Sequence, residues 1–180
     1  MAEQIPIATY GREVLRKKAK KIKKIDETII EMIDNMFYTM HEADGVGLSA
    51  PQVNKSLQLA VIDISPVEDY KDFKPLIIIN PEIIEKHGDS TYKEGCLSFP
   101  GVRGEVKRPE KIFLKYNDIY MNEITKEFDK LASRVIQHEI DHLHGKLFID
   151  YLPDDILAQL KLQLKNIKNR KTQVSYPVMK

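Results

Sequence analysis

Gln137-His138-Glu139-Ile140-Asp141-His142 is the stretch from which the rest of the chain can be read, and it has the form H-E-x-x-H. On a helix, His138 and His142 stand at i and i+4, one turn apart on the same face, where two imidazoles can share one metal ion. Glu139 lies about 100° round from His138. A carboxylate there can reach a water on the ion without being a ligand itself. Two ligands, a base and an open coordination position are the parts of a hydrolytic metal site. Leu131, Ala132, Val135, Ile136 and Leu143 are apolar at near-helical spacing, which gives this helix a buried side. Two histidines and a carboxylate facing a core are costly unless something partners them. Gly145 supplies the helix stop.

Two histidines do not hold a catalytic metal alone, so a third ligand decides the class. One protease continuation reads H-E-x-x-H-x-x-G-x-x-H. Gly145 takes its glycine position, but Phe148 stands where the third histidine belongs. Downstream of Leu143 there is no Glu, leaving Asp150, Asp154 and Asp155. The ligand is therefore sought upstream, where Cys96 is the one cysteine and the only soft donor.

The chain has 180 residues, 42% hydrophobic and 31% charged, with a net charge of +1. That is the size and composition of one ordinary globular domain spanning residues 1–180. No global field argues for nucleic acid. The apolar run Ile5 to Tyr10 is too short for a signal-peptide core or a membrane span. A lone cysteine excludes an internal disulfide, and the expected location is the cytoplasm.

Outward from the motif, the periodicities predict the remaining elements. Arg12 to Lys24 carries eight Lys/Arg and reads as a solvated helix face and turn, with RNA contact as the alternative. Asp26 is an N-cap for an amphipathic helix to about His41, with Ile29, Ile30, Ile33, Met36, Phe37 and Met40 on one side. Gly45-Val46-Gly47-Leu48-Ser49-Ala50-Pro51-Gln52 permits close backbone approach to another segment or a ligand, and Gln52 ends it with an amide donor. Strands are predicted at Leu57–Ile64, Leu76–Ile79 (broken by Asn80-Pro81), Glu82–Glu85, Val102–Val106, Ile112–Tyr116 and Ile119–Ile124. Between them, Gly95 and Pro100-Gly101 bracket a short extended segment presenting Cys96. The metal helix should run from about Asp129 to His144. A last helix begins near Pro153-Asp154-Asp155 and ends in Lys161, Lys165, Lys168, Arg170 and Lys171. Residues 172–180 read as a frayed tail. Strands clustered ahead of the metal helix argue for an α+β fold.

Three stretches now agree. Gly45 to Gln52 resembles the G-x-G-L-A-A-x-Q motif of peptide deformylases. Glu94-Gly95-Cys96-Leu97-Ser98 is similar to their E-G-C-L-S motif, and Gln137 to Gly145 to their Q-H-E-x-D-H-L-x-G motif, both without change. The resemblance runs from about Ile7 to Tyr151. Two departures stand out: Ser49 replaces the usual first Ala, and Lys130 stands where the family often has Gly.

The resemblance implies antiparallel β-sheets packed around a central metal-binding helix, with a C-terminal helix. It implies a metal held by Cys96, His138 and His142, natively Fe(2+), for which Zn, Ni or Co can substitute. Glu139 would be general base and acid, and Gln52 with the Leu97 backbone N–H would form an oxyanion hole. The substrate would be the N-formyl group on the initiating methionine of nascent polypeptides. Beside an extended peptide, Val46, Gly47 and Gly95 can pair as an added strand without reading side chains. Leu131 and Val135 would wall the methionine pocket, with Arg134 at its rim and Arg103 partnering Glu94. The basic end of the last helix is a candidate for docking on the ribosome. Two other readings stay open at this point: an H-E-x-x-H metallopeptidase, and a non-enzymatic domain with a structural metal and a fourth ligand.

Overall fold

A computed structural model describes residues 2–179. Three helices are α1 (Glu27–Glu42), α2 (Lys130–Leu143) and α3 (Asp154–Lys168). Seven strands are β1 (Gly47–Ser49), β2 (Leu59–Ile62), β3 (Leu76–His87), β4 (Ser90–Gly95), β5 (Arg103–Arg108), β6 (Lys111–Asn117) and β7 (Glu123–Asp129). They form a five-stranded sheet, β1-β2-β3-β6-β7, and a separate β4-β5 hairpin. Every named strand pair is antiparallel. The α+β class and the central metal-motif helix are as expected from sequence.

The position of α2 follows from its two faces. Ala132, Val135, Ile136 and Ile140 pack with Ile62, Ile78, Ile112 and Leu114 of the sheet. The opposite side is polar yet also buried: Ser133, Arg134, Gln137, His138, Glu139 and His142 are all covered. What covers it is the β4-β5 hairpin, the turn after it, and the short 3-10 turn Ala50–Val53 behind β1. A buried polar helix face demands a partner for each group, and the site is made of those partners. α1 begins at Asp26, whose carboxylate accepts the Ile29 N–H at 3.1 Å. α3 packs through Leu164 and Ile167 against Phe99 and Phe148. No helix among the described residues is long and apolar enough to cross a membrane.

Several boundaries differ from expectation. Asn80-Pro81 does not end a strand. Asn80 takes a left-handed backbone (φ 51°), the register shifts between Ile79 and Glu82, and β3 continues to His87. The Asn80 side chain holds both Ile22 backbone groups, at 2.8 Å each, which fixes that irregularity in place. The strand expected at Ile119–Ile124 lies later, because Asp118 ties down a turn through the N–H groups of Tyr120 and Asn122. Arg12 to Lys24 holds only a single 3-10 turn, Glu13–Arg16, followed by extended chain. Cys96 opens a turn closed by Phe99 N–H on its carbonyl at 2.8 Å, not an extended segment. The tail expected to fray at 172–180 is laid against the body over the residues described. Val178 bridges Ile7, and Tyr176 reaches Leu97.

Candidate metal centre

Cys96 enters from the turn after β4, and His138 and His142 from α2. Their donor atoms lie within 4.8 Å of one another. Cys96 Sγ is 3.3 Å from His142 Nε2. Typical Zn–S and Zn–N bond lengths give a tetrahedral S···N edge of roughly 3.5 Å, so this edge is within a few tenths of an ångström of the length a metal would impose. His138 uses its Nδ1 on Glu94 Oε2 at 3.0 Å, leaving Nε2 for the cluster. A ligand histidine oriented by a carboxylate is the usual outer arrangement of a metal site. Burial works against a charged His138, but Cys96 and Glu94 outweigh it and raise its pKa well above the ordinary value. The surroundings therefore favour positive charge at this spot. His142, by contrast, is held well below its ordinary value by burial and by His138. One thiolate and two imidazoles around a point that favours a cation fit a divalent metal. Among the described residues no fourth protein ligand joins them, so the geometry is that of an open site rather than a closed structural one.

Glu94 is the hub beneath the ligands. It accepts from Arg108 Nε at 2.6 Å and Nη2 at 3.0 Å, and from Arg134 Nη1 at 2.9 Å, besides His138. Burial pushes its carboxyl up, but the His138 and Arg108 hydrogen bonds prevail and hold it at about 2. Arg108 also reaches Asp141 Oδ2 at 2.6 Å. Here two expectations are corrected. Arg103 is not the partner of Glu94, because on β5 the inward residues are Gly104, Val106 and Arg108, while Arg103 is exposed and lies along Gly95 at the edge of the cavity. Arg134 does line the cavity, but as a buried part of its wall rather than at an exposed rim. It is 5% exposed and its guanidinium is turned inward to Glu94, Val106 O and Ser90 O. Phe148, at the protease-type third-ligand position, instead stacks on the His138 ring at 6.2 Å between centroids.

Glu139 lies beside the cluster, 3% exposed. Burial raises its pKa to about 7. Its Oε2 has no protein hydrogen-bond partner. Its other oxygen lies against Gly47, where an added Cβ would come within 2.6 Å and force the Glu139 and Val135 side chains to shift. Gln52 is fixed from behind: its Oε1 accepts both the N–H and the hydroxyl of Ser49 at 2.8 Å each. That settles which end of the amide faces forward. Nε2 lies 3.5 Å from Cys96 Sγ and 3.3 Å from Ser98 Oγ. Ser49, the departure from the usual Ala, thus adds a second donor behind the amide.

A cavity of about 640 Å³ opens over these groups. Val46, Gly47, Gly95, Leu97, Leu131 and Val135, all expected at the substrate, line it together with Gln52, Cys96, His138 and Glu139. His142, 1% exposed, lies beneath. Sequence reasoning missed Arg108, Ser98 and the stretch Gln173 to Tyr176, which also lines the cavity.

Fold and site together define an α+β protein with a Cys–His–His cluster that could hold a metal ion and an adjacent buried carboxylate. The sequence profile of the polypeptide deformylase family matches residues 4–156, and the chain belongs to that family, whose enzymes hydrolyse the formyl amide of nascent peptides. It is 47% identical over 174 residues to a peptide deformylase of Chlorobaculum parvum, covering 97% of this chain and 93% of that one. Against one from Chlorobium phaeovibrioides it is 46% identical, covering 97% and 92%. The crystal structure of a Legionella pneumophila peptide deformylase superposes with a TM-score of 0.85 at 38% identity, covering 94% of this chain and 98% of that one. A class I type b peptide deformylase from Acinetobacter baumannii, with Met-Ala-Ser bound, gives 0.79 at 32%, covering 84% and 100%.

Proposed function

We propose that this chain removes the N-formyl group from the initiator methionine of nascent polypeptides and releases formate. The observation that carries the reading is Glu139: a buried carboxyl raised to about 7, one turn face from the Cys96–His138–His142 cluster, in a cavity edged by a forward-pointing amide. We assign Cys96, His138 and His142 as holders of a divalent ion, Fe(2+) with Zn, Ni or Co as substitutes. Such an ion would supply a Lewis acid and an acidified water. Glu139 takes a proton from the attacking water and returns it to the leaving amine, and a pKa near neutrality serves both directions. Charge then grows on the formyl oxygen. Gln52 Nε2 and the Leu97 N–H are assigned to it; one such donor typically contributes roughly 2.7–4 kcal/mol.

The extended substrate pairs with the backbone at Val46, Gly47 and Gly95, while Leu131 and Val135 take the methionine side chain. That the Acinetobacter relative holds Met-Ala-Ser supports a peptide of this kind. The metallopeptidase alternative loses its support, since Phe148 stacks where a ligand would stand. A reduced thiol as ligand suits the cytoplasm. Exposed Lys161, Lys165 and Lys168 on α3 support docking on the ribosome; salt-dependent co-sedimentation with ribosomes checks it, and no binding at low salt removes it.

The test is formate release from formyl-Met-Ala-Ser by reduced protein, set beside unformylated Met-Ala-Ser. Release of an amino acid instead of formate would overturn the reading. Glu139→Gln should keep fold and metal and lose turnover by several orders of magnitude. Metal analysis after anaerobic purification should find iron; full activity with iron only at trace level refutes the Fe(2+) assignment.

A further inference from the structure

The C-terminal stretch after α3 contains no helix or strand over the described residues, yet it leaves α3 and is held again at its far end. Ile7 N–H donates to Pro177 O at 2.9 Å, Met179 N–H to Ile7 O at 3.0 Å, and Arg12 Nη2 to Met179 O at 2.9 Å. Burial alternates along it: Thr172, Val174, Tyr176 and Val178 are half-buried, while Gln173, Ser175 and Pro177 are exposed. Alternate residues therefore face the body, although the chain bends at Thr172, Ser175 and Tyr176. The surface is the mouth of the catalytic cavity, which Gln173 to Tyr176 help to line. Tyr176 packs into the apolar cluster that includes Leu97, Leu48 and Met40. Its hydroxyl donates to the Leu97 carbonyl at 2.7 Å. Burial pushes that hydroxyl up to about 12, so it stays a donor at any working pH.

We propose that Gln173 to Tyr176 form one wall of the substrate site, meeting the residues that follow formylmethionine, and that Tyr176 is a positioning residue that anchors Leu97 by its carbonyl. This rests on the deformylase reading above. The geometry favours it on two counts. A 640 Å³ cavity is far larger than one methionine side chain needs, and the segment closes the part beyond Leu97. Tyr176 holds Leu97 from its carbonyl side, one peptide unit beyond the Leu97 N–H assigned to the formyl oxygen, so a loose grip lets the Leu97 backbone turn and blurs that donor. Gln173 presents an uncharged, exposed side chain on this wall.

The experiment compares kcat and KM for formyl-Met-Ala, formyl-Met-Ala-Lys and formyl-Met-Ala-Asp at low salt. Gln173→Glu should shift the Lys-to-Asp ratio of kcat/KM about three-fold upward, and Gln173→Lys about three-fold downward, as exposed charge pairs do. Both shifts should fall in KM. Tyr176→Phe should lower kcat about two- to ten-fold on all three peptides with KM unchanged, the size expected for one lost hydrogen bond. Active Gln173 variants with the parental ratio would overturn the wall. Parental kcat in Tyr176→Phe would overturn the positioning role. A parent protein that releases no formate from any of the three strikes the deformylase reading itself, and this proposal with it.

Discussion

Glu94→Gln tests how the metal helix is held. The substitution keeps size and shape but removes one charge from a buried set. Arg108 and Arg134 are 4% and 5% exposed, and Glu94 and Asp141 oppose them. With Glu94 ionised, two positive groups meet two negative ones. With Gln, one guanidinium loses its counter-charge. An amide oxygen also cannot replace both carboxylate oxygens, so its NH₂ end must face either an Arg N–H, donor against donor, or His138 Nδ1, which must then switch tautomer to accept and turns its N–H toward the cluster. Breaking a buried pair from one side costs about 3–5 kcal/mol. At about 2–4 °C per kcal/mol for a chain of this size, the melting midpoint should fall by roughly 6–20 °C. The measurement is thermal unfolding of parent and variant, both stripped with chelator, so that metal linkage does not enter. Chelator competition on the loaded proteins should then show metal held roughly 10–100-fold less tightly, because His138 has lost its orienting acceptor. A variant melting within about 2 °C of the parent and holding metal equally well would refute the idea that Glu94 ties the hairpin, the helix and the ligand together.

Gln52→Ala should lower kcat roughly 100- to 1,000-fold at nearly unchanged fold, while Ser49→Ala, which leaves the Ser49 N–H on the Gln52 amide, should cost less; equal losses in steady-state kinetics would contradict that order. Gly47→Ala places a Cβ within 2.6 Å of Glu139 Oε1 and 2.8 Å of Val135 Cγ1. It should lower kcat about 10-fold or more by displacing the base, and parental kcat would mean that the helix yields freely. Lys130 opens α2 at φ 48°. Lys130→Gly should relieve about 1–2 kcal/mol of left-handed strain against about 0.5–1 kcal/mol of added chain entropy, so a urea midpoint below the parent's would count against the strain. Asp150 is held below the usual carboxylate range: burial opposes this, but Arg16, at 2.6 and 2.9 Å, prevails. Its contribution is full above the unfolded value near 3.9 and fades as pH falls through the lower folded value. Arg16→Ala should therefore be less stable by about 1 kcal/mol or less at pH 6, since the pair is half-exposed. The gap should close in strong acid, and urea titrations showing a gap that widens there would reverse the assignment.

What could be read in advance was what depends on neighbours in the chain. The i, i+4 histidines, the apolar stripe of α2 and the Asp26 cap are local, and all fall where periodicity puts them. Asn80-Pro81 reads as a break because both residues disfavour strand backbone. It is tolerated because Asn80 finds its partners on Ile22, 58 residues away, which no local pattern announces. The strand β7 was misplaced for a related reason. Its sequence EITKEFD is largely exposed at the sheet edge, so pairing with β6 rather than apolar alternation sets its limits. The polar face of α2 shows the same division more sharply. His138, His142 and Glu139 were visible as a motif, but Arg108 was one basic residue among many. Its role exists only because β5 alternates inward at 104, 106 and 108, and because β4 brings Glu94 opposite Gly104. The consequence is physical. Apolar contacts alone would leave α2 free to turn its histidines to solvent. The charge-neutral set of Glu94, Arg108, Arg134 and Asp141 makes the buried orientation the one in which every charge is matched, and so a single register of the hairpin aims Cys96 at two imidazoles.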